Sequence, residues 1–172
     1  PPEGGEAPFV VCWSDPKARE RLAKESARAA KVFDTIIIDD FQFVMGNAFL
    51  KRAGEKSFDK FIEIGQGAFY IIETVKKLPP DVVVYFLTHT EVKDGITTCK
   101  TIGKMLDEKI NFPSKFSIVL KTQVIDGEYY FSTHNSGADV VKTPLGMFEE
   151  SLIENDLKLV NTTIRSYYDI GD

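Results

Sequence analysis

Two carboxylates close an apolar run in Thr35-Ile36-Ile37-Ile38-Asp39-Asp40-Phe41. An isolated ionised carboxylate is costly to bury, so acids at the edge of a core are exposed, paired or bound to metal. A second apolar run, Asp81 to Thr88, ends in the polar sequence Thr88-His89-Thr90-Glu91. Ligands of open α/β sheets bind beyond the carboxyl ends of the strands, which is where Asp39, Asp40, Thr88 and His89 fall. An aspartate there can hold Mg²⁺, directly or through water, beside a nucleotide phosphate. A neighbouring acid can orient or deprotonate an attacking water. Successive strand residues face opposite ways, so a division is expected, with Asp39 on the metal and Asp40 on water or structure. The plainer alternative is a strand that stops at a polar turn, with Asp40 capping the next segment.

The elements that would position these residues follow from hydrophobic periodicity. Asp34 to Asp39 and Asp81 to Thr88 lack polar alternation, as suits strands covered on both faces of a parallel sheet. Between them, Phe58 to Leu78 carries Phe61, Ile64, Ala68, Ile71, Ile72 and Val75 at helical spacing and stops at Pro79-Pro80. Strand, helix and strand form a βαβ unit, so the two strands are expected to be parallel. Residues 41–57 read as a polar, glycine-bearing connection. Upstream, Phe9 to Trp13 (FVVCW) suits a short buried strand. Lys17 to Lys31 suits a surface helix, capped by Ser14 or Asp15 with Pro16 in its first turn.

Downstream, Asp94-Gly95 marks a turn and Thr101 to Ile110 a short helix. Phe116 to Val124 and Glu128 to Thr133 flank Asp126-Gly127, a strong hairpin signal. Asn135 to Pro144 reads as a loop, and a last helix is expected from Glu150 or Ser151 to about Tyr168. The reading is one α/β domain over residues 9–172, after a flexible Pro/Gly-bearing lead at 1–8.

Composition narrows the function classes. Of 172 residues, 43% are hydrophobic and 27% charged, enough for a full core in an ordinary globular domain. No apolar run is long enough to span a bilayer, and a reducing cytoplasm is the expected compartment. Cys12 and Cys99 make neither a disulfide framework nor a zinc pattern. The net charge of −5 argues against broad charge-driven binding to nucleic acid, leaving room for a local basic groove. Lys100, Lys104, Lys109, Lys115 and Lys121 form the densest basic stretch, which also reads as a solvated face. Phe41, Phe43, Phe49, Phe58, Phe61 and Phe69 could stack on bases if exposed, but packing in the core is the better account.

Six blocks taken in order carry a family resemblance: TIIIDDFQFVM, SFDKFIEIGQ, VVVYFLTHTE, KTIGKMLDEK, DGEYYFST and KTPLGMFEESLIENDL. Together they resemble the phage-type RecA-like P-loop ATPases of recombination and single-strand annealing, over roughly Asp34 to Tyr168. The resemblance implies a mostly parallel sheet flanked by helices, with a C-terminal β-hairpin and helix. It implies that Ile36 to Asp39 is the Walker B strand, with Asp39 the Mg²⁺ ligand and Asp40 the catalytic acid. His89 would match the polar sensor of the γ-phosphate. Lys100, Thr101 and Lys104 would lie near the nucleotide or on a loop facing a neighbour or DNA, and Lys142 would reach a phosphate on an adjacent subunit. ATP, single-stranded DNA and self-association in a ring or filament are the implied ligand and partners, in the host cytoplasm if the chain is phage-encoded.

One expected motif is missing. A P-loop needs G-x-x-x-x-G-K-[ST], whose backbone amides and lysine cradle the phosphates while the hydroxyl holds Mg²⁺. Gly4-Gly5 lacks the lysine and hydroxyl, and Gly103-Lys104-Met105 lacks the hydroxyl and the upstream glycine. The loop is therefore expected either upstream of Pro1 in a longer parent or lost. The second case corresponds to a different function: a non-hydrolysing protein-interaction module that keeps the fold. A DNA binder that needs no nucleotide is the reading that the acidic charge least favours.

Overall fold

The computed structural model describes residues 33–102 and 111–170, together with Lys24, Arg28 and Ala30. The expected lead, the Phe9–Trp13 strand and most of the Lys17–Lys31 helix lie outside the described residues. Lys24 and Arg28 are helical.

Strand β1, Thr35–Ile38, pairs in parallel with β2, Val83–Phe86, in the register Thr35 to Val83 through Ile38 to Phe86. Helices α1, Gln42–Lys51, and α2, Asp59–Val75, form the crossover between them. Apolar strands call for cover on both sides; alternate residues of β2 obtain it from different layers, whereas Ile37 of β1 is half exposed. Ile36, Ile38, Val84 and Phe86 pack with Met45 of α1 and Ile64, Ala68, Ile71 and Ile72 of α2. On the opposite side, Val83 and Tyr85 pack with Met147, Phe148 and two residues of α3 (Leu157–Tyr168), Val160 and Ile164. Those two layers make the core.

Helix α1 replaces the connection that the sequence suggests, where Gly46 and Asn47 weaken local helix propensity. Tertiary burial overrides that weakness: Met45 is almost wholly enclosed, and Val44, Ala48 and Phe49 pack against the same core. Its end is tied to α2 by the buried Lys60, whose Nζ donates to the carbonyls of Arg52 (3.3 Å) and Glu55 (2.6 Å).

After β2 the topology changes. Strands β3, Thr90–Lys93, and β4, Ile96–Cys99, form an antiparallel hairpin around Asp94-Gly95. Strands β5, Lys121–Ile125, and β6, Glu128–Ser132, form another around Asp126-Gly127. Both central residues of each turn have positive φ (50° and 79°; 53° and 87°), the type I′ geometry that matches strand twist. Strand β7, Leu152–Glu154, adds to β6. The expected mostly parallel sheet is thus not what the described residues form: β1–β2 is the parallel pair, and the two other sheets are antiparallel. The reason is connection length, since a two-residue turn can join only antiparallel strands.

The last helix also begins later than expected. Residues 152–154 are drawn into the sheet by pairing Ile153 with Phe131, and Asp156 then caps α3 by accepting the Lys158 amide at 2.7 Å. Thr101 and Ile102 are not helical, and residues 103–110 lie outside the described set. Among the described residues, no helix is long and apolar enough to cross a membrane.

Candidate functional site

Strand β1 ends at Ile38, so Asp39 and Asp40 both lie beyond it, in the turn that leads to α1. The strand alternation expected to separate their roles therefore does not apply to them. Asp40 instead turns out of line by adopting a left-handed backbone, φ 50°, which aspartate tolerates better than most residues. Its amide donates to Asp39 Oδ1 at 2.8 Å, closing the turn locally. Phe41 then plunges into the core, and its amide donates to the carbonyl of Leu87 at 2.9 Å. The Leu87 amide in turn donates to the carbonyl of Ile38 at 2.9 Å. These bonds carry the parallel register past both strand ends and bring the two polar termini together.

His89 Nε2 lies 3.2 Å from Asp40 Oδ1, and both side chains are at least half exposed. A pair so open to water contributes little to stability. Gln42, the first residue of α1, is buried beneath it and is not among the candidates that the sequence offers. Its Nε2 donates to Asp40 Oδ1 and its Oε1 accepts the His89 amide, both at 3.2 Å. A polar residue set between Phe41 and Phe43 was the one signal for it in the sequence. Phe43 stands beside His89, ring centroids 6.3 Å apart, and is half exposed.

The remaining candidates divide. Lys100 is joined to the cluster through its backbone, with its amide donating to the His89 carbonyl at 2.8 Å and its side chain exposed. Thr101 donates its amide to Glu91 Oε1 at 3.3 Å, a residue of β3. Lys104 lies outside the described residues. Lys142 sits in the other layer, bridged through its backbone to Val119, and none of the contacts of Asp39, Asp40 or His89 involves it. Of the six phenylalanines expected in the core, Phe41 is buried, Phe49, Phe61 and Phe69 are partly buried, and Phe43 and Phe58 are exposed.

A cavity of about 1300 Å³ runs alongside β2 and reaches the cluster, with Tyr85, Thr88, His89, Lys100, Ile118 and Leu120 in its wall. Its volume accommodates a nucleotide-sized molecule. Among the described residues, no group of three His, Cys, Asp or Glu side chains forms a ready-made metal cage. Mg²⁺ needs none, because it commonly keeps several waters and takes one or two carboxylates plus substrate phosphates. Asp39 Oδ1 accepts the Asp40 amide, and Asp40 Oδ1 faces Gln42 and His89, leaving the second oxygen of each carboxylate without a protein partner among the described residues. The donor set fits a water-rich Mg²⁺ site.

Comparison of the chain with protein-family models, curated proteins and solved structures found no match.

Proposed function

We propose that this chain is the metal- and nucleotide-handling part of a RecA-like ATPase of the phage recombination type, acting with single-stranded DNA. The observation that carries the reading is the juxtaposition of two carboxylates after one strand with a histidine beyond its parallel neighbour, 3.2 Å away. Asp39 is the residue that would hold Mg²⁺, whose chemistry is to neutralise charge on the β- and γ-phosphates, with Asp40 left for the attacking water.

Asp40 accepts the proton of the attacking water as the water oxygen bonds to the γ-phosphorus and the bond to the ADP oxygen breaks. His89 pairs with Asp40 and, through its carbonyl, with Lys100, so a change at the γ-phosphate passes into β3 and β4. On this reading the parallel pair belongs to a larger RecA-like sheet, the phosphate cradle comes from outside these residues, and subunits associate in a ring or filament. The second reading, the non-hydrolysing interaction module, is the one that holds if the G-x-x-x-x-G-K-[ST] cradle is lost instead of supplied from outside these residues.

Titration of the chain with a fluorescent ATP analogue, with and without Mg²⁺, separates the two. The ATPase reading expects saturable, Mg²⁺-dependent binding that Asp39→Asn weakens at least about tenfold and Asp40→Asn leaves within about threefold. Equal behaviour of the two variants would overturn the division of roles. Absence of Mg²⁺-dependent binding, both in this chain and in a version supplied with a GKT-containing segment, would leave the interaction module.

A further inference from the structure

We infer that Gln42 is a positioning residue, whose buried carboxamide locks the Asp40 carboxylate and the His89 loop into one unit. The carboxamide orientation is decided by its surroundings. The His89 amide can only donate, so the atom 3.2 Å from it must be Oε1, which turns Nε2 toward Asp40 Oδ1 at 3.2 Å. The reversed amide would set donor against donor on one side and acceptor against acceptor on the other.

Gln42 is 8% exposed, while Asp40 and His89 side chains are 50% and 64% exposed. Two solvent-exposed groups are thereby referred to one buried point in the first turn of α1. Water would compete freely for the direct Asp40–His89 contact, but reaches the carboxamide poorly. Gln42 thus spans the gap between the β1 and β2 termini with one side chain, where the backbone bonds of Phe41 and Leu87 end. The inference rests on the proposed function only for the purpose of the Asp40–His89 pair; the bridge is tested without nucleotide or metal.

The test uses the full chain, with two readouts from nuclear magnetic resonance. Hydrogen exchange of the His89 amide reports the Oε1 contact. The imidazole ¹⁵N shifts of His89, recorded with the ring neutral, report whether Nε2–H is held toward Asp40. Gln42→Met removes both contacts, and should speed His89 amide exchange at least about tenfold while relaxing the tautomer balance to that of a free histidine side chain. Gln42→Glu keeps an acceptor for the amide but sets a carboxylate against Asp40. It should retain the amide protection and relax the tautomer balance toward that of a free histidine side chain. Protected amides at Ile71 and Ile72 of α2 serve as the control for folding. The inference is overturned if Gln42→Glu reproduces Gln42→Met in both readouts, or if either variant leaves the tautomer preference of the wild type intact. Because neither readout involves ATP or Mg²⁺, failure here is distinct from failure of the ATPase reading.

Discussion

Phe41 connects the stability of the fold to the geometry of the candidate site. Its ring is 5% exposed and meets Phe86 and Phe112 edge to face, with centroids 5.0 and 5.8 Å away. Replacing it with leucine keeps most of the apolar burial but removes both ring pairs, a loss of about 1–3 kcal/mol at about 0.5–1.5 kcal/mol each. Replacing it with alanine also empties the pocket and should cost about 3–5 kcal/mol, a large share of a typical domain's stability. Urea unfolding followed by circular dichroism reads this directly. With a slope of about 2 kcal/mol/M, the alanine variant's midpoint should fall by about 2 M, and the leucine variant's by about 0.5–1.5 M. The slope itself should be unchanged, since the surface exposed on unfolding is nearly the same. A midpoint shift below about 0.5 M for Phe41→Ala at constant slope would show that the ring is not packed as described. The anchoring of Asp39 and Asp40 against β2 would then lose its basis.

Two further outcomes follow from other parts of the fold. Asp139 has a side chain 1% exposed, receiving Lys121 at 2.9 Å, Ser136 at 2.6 Å and the Val141 amide at 3.1 Å. Burial opposes its charge, but these donors outweigh burial and hold its carboxyl below the ordinary value of 3.8. Its stabilisation is therefore fully present above about pH 4 and lost as pH falls through the lower folded value. Asp139→Asn should cost about 2–4 kcal/mol near neutrality, and urea midpoints measured down to acid pH should show that cost shrinking below pH 4. A cost independent of pH would refute the assignment. Gly127, at φ 87° with open space around the position of a Cβ, should lose about 1–2 kcal/mol on substitution by alanine, from backbone strain alone. A thermal midpoint unchanged by Gly127→Ala would contradict the type I′ turn.

Local sequence determined several features because the governing physics is local. The apolar strands at Thr35–Ile38 and Val83–Phe86 and the helix at Asp59–Val75 follow from hydrophobic period, and the Asp-Gly turns from the freedom to adopt positive φ. A long intervening segment made β1 and β2 parallel, and that alone pointed to Asp39, Asp40 and His89 at one end of the sheet. Other features depended on contacts between distant residues. Helix α1 forms over a weak local signal because Met45 and its neighbours are buried by α2 and β2, and β7 forms because β6 offers it a partner. Gln42 reads in the sequence as one polar residue in an apolar stretch. Only the tertiary structure, by closing β2 against β1, sets the His89 amide on one end of its side chain and Asp40 on the other. A hydrogen bond across 47 positions leaves no periodic trace in either segment, so this part of the site was decided by the fold.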